Sequence, residues 1–203
     1  MNYGNLRTHF IALLNRSDIT DALANTFLDQ AISRIQRTLR TPDMERQQSY
    51  SISTQTASIV MPSDLLEIMD IYYDKTALVR IPLHEMLEHK TSAASGTPEF
   101  FTRERSNIIL YPEPASGSVV VDYYGTFAAM TADSDENVLA AVASDLITYG
   151  ALTYASDYYI DERSPLFESK YQSFLAEIKE QAQSAEATGT VQVIRPSAIY
   201  QDI

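Results

Sequence analysis

Residues 134–160 read SDENVLAAVASDLITYGALTYASDYYI, and the fold turns on how this stretch is placed. Val138, Val142, Leu146, Tyr149 and Thr153 recur at helical spacing on one side. Ala140, Ala143, Gly150, Ala151 and Ala155 supply small side chains that let other helices approach closely. Such a helix belongs at the centre of a helical layer. Ser134 reads as its N-cap, with Asp135 and Glu136 in the positive first turn.

Ser164-Pro165 starts a last helix by the cap-plus-proline rule. Phe167, Tyr171, Phe174, Ile178 and Ala182 form its buried stripe, and the polar stretch Gln181–Gly189 predicts a frayed end. At the other end of the chain, Leu6, Phe10, Leu13 and Leu14 mark one helix. Thr20 caps a second, on which Leu23, Phe27, Leu28, Ala31, Ile35 and Leu39 recur until Thr41-Pro42 ends the pattern. Between the helix pairs the period shortens. Strands are expected over 49–53, 57–61, 67–73, 78–81, 99–103, 107–111 and 118–124, with tight turns at Asp74-Lys75 and Ser106-Asn107 and a short helix after Pro82.

Each helix pair carries one apolar stripe per helix, and the simplest way to bury them is together. The expected class is therefore α+β: an antiparallel four-helix bundle with an inserted antiparallel β-rich unit and an extended C-terminal arm. The units are 1–47 (N-terminal helix pair), 48–130 (β-rich insertion), 131–186 (C-terminal helix pair) and 187–203 (arm).

The chain has 203 residues, 45% hydrophobic, enough for one substantial core and a smaller satellite. Cysteine is absent, which excludes thiol catalysis, disulfides and thiolate metal sites. Neither a signal peptide nor a bilayer-length apolar run is visible, so a soluble protein without membrane contact is expected. The formal charge of −12 opposes a general grip on nucleic acid. Its distribution is lopsided. Residues 1–41 carry five Arg against three Asp, whereas residues 131–186 carry eleven acidic groups against three basic ones. Such asymmetry suits either head-to-tail subunit packing, an acidic wall past which a polyanion slides, or a solvated acidic face.

No catalytic scaffold is legible. His84 and His89 are five apart, not the four that a zinc helix needs, and neither a phosphate-cradling glycine loop nor a nucleophile elbow occurs. The carboxylate pairs Asp133/Asp135 and Asp161/Glu162 stand beside helix starts, where capping explains them. No metal, cofactor or catalytic residue is expected. Three other features bear on contacts. Arg34, Arg37 and Arg40 fall three apart on one helix face, which is either solvated or meets an acidic partner. The thirteen tyrosines include Tyr72-Tyr73, Tyr123-Tyr124 and Tyr158-Tyr159, pairs that either turn one ring inward and one outward as contact surface or simply fill the core. Last, Val191, Val193, Ile194, Arg195, Pro196, Ile199 and Tyr200 follow the final helix. So short an arm has no core of its own, so its apolar groups are expected against another surface or in a loose tail.

Thr97-Pro98-Glu99-Phe100, Ile108–Tyr111 with Pro112 and Pro114, Val119–Tyr124, and the Ala-rich helix Asp135–Asp161, followed by a helix with Tyr171 and Leu175, come in that order between Gly96 and Leu175. In this sequence of motifs the chain resembles the tailed-phage head-to-tail adaptor (connector) family. The resemblance implies a virion protein of the head–tail junction, assembled in the host cytoplasm as a ring, usually a dodecamer, beneath the portal. It implies portal and tail or nozzle proteins as partners, a portal-binding arm over Val191–Tyr200, and a channel through which DNA passes without sequence-specific binding. Arg34, Arg37, Arg40, Tyr158 and Tyr159 are then candidates for the subunit interface, and Asp145, Asp157 and Asp161 for the channel wall. A second reading is an acidic assembly chaperone or regulator that binds one basic partner.

Overall fold

Side-chain caps open the first two helices: Asn2 accepts from the Asn5 N–H at 2.9 Å, a cap not read from the sequence, and Thr20, the expected one, accepts from the Leu23 N–H. The computed structural model describes residues 1–90 and 94–187. Its elements, in order, are α1 (Tyr3–Leu14), α2 (Asp21–Thr38), a 3-10 turn (Pro42–Met44), β1 (Glu45–Ile52), β2 (Ser58–Val60), β3 (Leu65–Tyr73), β4 (Thr76–Ala77), β5 (Val79–Arg80), α3 (Leu83–His89), β6 (Phe100–Glu104), β7 (Asn107–Tyr111), β8 (Gly117–Gly125), α4 (Val138–Val142), α5 (Ser144–Tyr159) and α6 (Ser164–Ala187).

The class is α+β, with six helices and two four-stranded sheets among the described residues, but the four-helix bundle is not formed. A bundle needs four helices around a shared interior. Here α5 fills that place itself, with only Asp145, Asp157 and Tyr158 exposed along its length. It packs on α1, α2 and α6, while α1 and α6 do not pack on each other along their lengths. The cause is the small residues. A Cβ at Gly150 would lie 3.0 Å from the Ala31 Cβ and 3.2 Å from the Tyr171 ring, so α2 and α5 close directly on one another and leave no central space for four stripes to share. The layer also draws residues from outside the helix pairs: Met44, Phe127 and Met130 join Phe10, Leu28, Ile35, Leu146 and Leu152 in one core. Each large apolar side chain so buried contributes about 1.5–3 kcal/mol.

The expected single helix from Ser134 is two. Asp135 accepts from the N–H groups of Thr131 and Ala132, both at 2.8 Å, and holds 131–135 as a turn. Asn137 is the cap, accepting from the Ala140 N–H at 2.8 Å, and the helix breaks at Ala143 (φ −132°, ψ 45°) before α5 begins. At the other end α6 runs on to Ala187 instead of fraying from Gln181, since Ile178 and Ala182 still pack against the molecule.

The β-unit enters through β1 and leaves through β8, which are antiparallel neighbours from Glu45↔Tyr124 to Ile52↔Gly117. Its sheets, ordered β1-β8-β3-β4 and β2-β7-β6-β5, face each other over Ile52, Ile59, Ile71, Phe101, Ile108, Leu110, Val119 and Val121. The unit is not wholly antiparallel: β5 and β6 run parallel. Helix α3 lies between them in sequence, and a crossover helix returns the chain in the same direction. It covers the outer side of that sheet through Met86, while His89 stacks on Phe100 at 5.2 Å. Asp74 and Lys75 take φ of 42° and 77° in the expected turn, whose return strand is β4 and not the expected strand over 78–81, of which β5 joins the other sheet. In the β6–β7 hairpin Glu104 pairs with Asn107, so Arg105 (φ 54°) and Ser106 form the turn, one residue earlier than expected.

Candidate interaction surfaces

Of the three arginines expected on one helix face, Arg34 and Arg37 lie on α2 while Arg40 falls past its end at Thr38, where Leu39 is already extended; Arg34 and Arg40 are occupied within the molecule. Arg34, half-buried, donates through Nη1 and Nη2 to the two Glu168 carboxylate oxygens of α6 at 2.9 and 2.6 Å, and lies 4.2 Å above the Tyr171 ring. Gln172 donates a third hydrogen bond to Glu168 at 2.7 Å. The Arg34 guanidinium holds the Glu168 carboxyl below its ordinary range. Arg40 donates to Glu67 of β3 at 3.0 Å and to the Gln36 and Leu39 carbonyls, tying the end of α2 to the sheet. Arg37 is exposed and has no ion pair among the described residues. It lines an open groove of about 620 Å³ with Thr26, Ser33, Gln36, Leu66 and Tyr154.

The electrical lopsidedness of the chain is likewise used internally. Arg7 donates to Asp133 through Nη2 at 2.9 Å and pairs with it through Nη1 at 2.9 Å, and Arg34 grips Glu168, so positive N-terminal residues are joined to acidic C-terminal ones.

Tyr158 and Tyr159 divide as the pair pattern predicts. Tyr158 is 62% exposed, edge-on to Phe27 at 5.7 Å, whereas Tyr159 packs on the core with the Arg16 guanidinium 4.1 Å above its ring. Next to them Ile160 is 91% exposed in the left-handed region (φ 53°). Leu13 and Leu166 are also exposed at this end of the helices, where Arg163 clamps the α5–α6 turn to the Leu14 carbonyl at 2.9 Å.

The three candidate wall carboxylates do not form one row. Asp145 opens α5 and accepts from the Leu146 N–H at 2.8 Å, while Asp157 lies in its last turn, about 18 Å away at roughly 1.5 Å per residue. Asp161 is engaged by Arg163, whose side chain and backbone N–H hold its pKa down to about 2. Its folded value is depressed, so the stabilisation from this pair is present above the ordinary carboxylate pKa and is lost as pH falls through about 2. The arm residues Val191, Val193, Ile194, Arg195, Pro196, Ile199 and Tyr200 lie outside the described residues.

One surface was missed. The outer edges of β1 and β2 face each other, with the Tyr50 hydroxyl donating to the Val60 carbonyl at 2.7 Å. They enclose a seam of about 510 Å³ lined by Ser49, Ser51, Ile52, Thr54, Ile59 and Val60, among others. The signal was available: residues 47–63 contain no charged side chain in a chain that is 21% charged.

Among the described residues no cluster of three or more His, Cys, Asp or Glu could hold a metal ion, and no helix is long and apolar enough to cross a membrane. None of the curated proteins matches this chain. A family model does: the one described as SU10 adaptor protein matches residues 1–194, and with nearly the whole chain matched this protein belongs to that family of phage head-to-tail adaptors.

Proposed function

We propose that the chain assembles as a ring, a dodecamer, beneath the portal of a phage head, where it extends the DNA channel and gives the tail a platform. Its role is structural and carries no catalysis. The observation that carries this is the family match over residues 1–194. The portal is gripped by the arm, through Val191, Val193, Ile194, Pro196, Ile199 and Tyr200. These side chains have no core within so short a segment, and ordering each residue costs about 1–2 kcal/mol, which docking on a larger surface offsets.

Neighbouring copies meet through Arg37 in its open groove and through the exposed Tyr158 ring, the two of the five interface candidates with accessible groups to offer. Arg34, Arg40 and Tyr159 support those surfaces from within. Asp145 and Asp157, exposed at the two ends of α5, face the channel, where their charge keeps phosphate from adhering. The test is deletion of Thr190–Ile203 and co-sedimentation with purified portal rings. Loss of binding with an unchanged fold by circular dichroism is expected; undiminished binding removes the arm from the mechanism.

A further inference from the structure

Three of the four outer strands are short: β2 has three residues, and β4 and β5 have two each. Brevity protects a sheet edge, because a short row of unpaired N–H and C=O groups templates little. β1 is different. It has eight residues, pairs on one side only among the described residues, and keeps unbroken register with β8. It lacks the other protections too, having neither proline nor bulge, and its charged residues are confined to Glu45 and Arg46 at its start. Alongside its second half runs the uncharged seam, where Val60 is 66% exposed. A strand added here gains ladder hydrogen bonds from β1 and an apolar strip for every second side chain.

α6 passes the turn that feeds this strand. Arg34 of α2 meets Glu168 of α6, and further on Thr41, Pro42 and Asp43, just past the end of α2, share a cavity with Ile178, Gln181 and Ala182. α6 therefore runs in the direction of α2 and, before it ends at Ala187, lies against the residues that lead directly into β1 at Glu45. Residues 188–203 reach up to roughly 50 Å when extended, about twice the length of an eight-residue strand. Within them Thr190-Val191-Gln192-Val193-Ile194 alternates at strand period, is uncharged like the seam, and is followed by Pro196, which cannot donate to a ladder.

We propose that residues 190–194 dock along β1 of the same molecule as a parallel fifth strand of its sheet, with Val191 and Val193 turned into the seam beside Ile59 and Val60. Docking covers an edge that would otherwise recruit other chains and a ribbon that would otherwise expose its apolar groups. Ile199 and Tyr200, beyond Pro196, stay available for a first encounter. The proposal rests on the portal reading in one respect: the portal displaces the docked strand.

Because the chain has no cysteine, paired thiols report the contact without background. The full-length variants Ser49→Cys/Gln192→Cys and Ser51→Cys/Gln192→Cys are oxidised as dilute purified protein, with Glu162→Cys/Gln192→Cys as a distant control, and scored by mass spectrometry. A disulfide needs Cα atoms within about 7 Å. At least one of the first two pairs is expected to close within a single molecule while the control stays reduced. A bond formed only between molecules, or none in either pair, overturns the proposal. Hydrogen exchange supplies a second reading: β1 amides are expected to exchange at least about tenfold faster once 190–203 is deleted. Equal rates would also overturn it. No portal is present in either measurement, so a chain that docks its arm but ignores portal rings fails only the portal reading.

Discussion

Ile160 combines two local costs at one position. Its backbone lies at φ 53°, ψ 49°, where a β-branched side chain crowds the following carbonyl, and that side chain is 91% exposed, so burial returns almost nothing. Ile160→Gly is therefore expected to raise the stability of the isolated protein by roughly 0.5–1 kcal/mol, the relief of left-handed strain exceeding the entropy that glycine adds to the unfolded chain. Urea denaturation checks this; a lower midpoint would mean that the exposed side chain holds the α5–α6 turn. Single residues were unevenly legible in the sequence. Caps such as Asn137 and pairs such as Arg34–Glu168 depend on which of several similar residues meets a partner distant in sequence. A row of three arginines at helical spacing therefore looked uniform, although Arg34 and Arg40 are engaged and Arg37 is not.

Between elements, the α2–α5 contact governs the helical layer. An added methyl at Gly150 meets the Ala31 Cβ at 3.0 Å, tight enough to offset most of the helix propensity, about 1 kcal/mol, that alanine brings. Gly150→Ala is expected within about 1 kcal/mol of neutral, and Gly150→Val to destabilise by about 2–3 kcal/mol as α2 is pushed away. Chemical denaturation of both variants decides it, and a valine tolerated without loss would show that the helices are not closely packed. The small residues of α5 were read from the sequence as a sign of a central helix, and α1, α2 and α6 do surround it. What pattern alone did not supply is that one helix occupying the middle excludes a bundle interior. Strand edges were hidden for a related reason. Glu45–Gln48 has no apolar alternation because β1 is an outer strand with solvent on most of its surface, so its first four residues carry no β-signature. β5 runs parallel because α3 intervenes, a relation of topology and not of composition.

For the molecule as a whole, internal pairing leaves the net charge of −12 unchanged and decides which carboxylates carry it. Asp133, Glu168 and Asp161 are spent on Arg7, Arg34 and Arg163; the first two pairs tie the N-terminal helices to the C-terminal part of the chain, and the third is local to the α5–α6 turn. The charge left facing solvent along α5 is that of Asp145 and Asp157. In the proposed ring these carboxylates are repeated in every subunit at two levels of the channel, and a circle of fixed negative charge raises the energy of phosphate lodged against the wall. The double variant Asp145→Asn/Asp157→Asn leaves the fold within about 0.5 kcal/mol of the parent, since both side chains are exposed. Particles built with it are expected to eject DNA more slowly, most clearly at low salt where screening is weakest. Adding Asp161→Asn should slow ejection little further, because Arg163 already neutralises that carboxylate. Ejection that is unchanged in the double variant at every ionic strength would exclude α5 from the channel wall and turn that face of the ring toward solvent or a neighbouring copy.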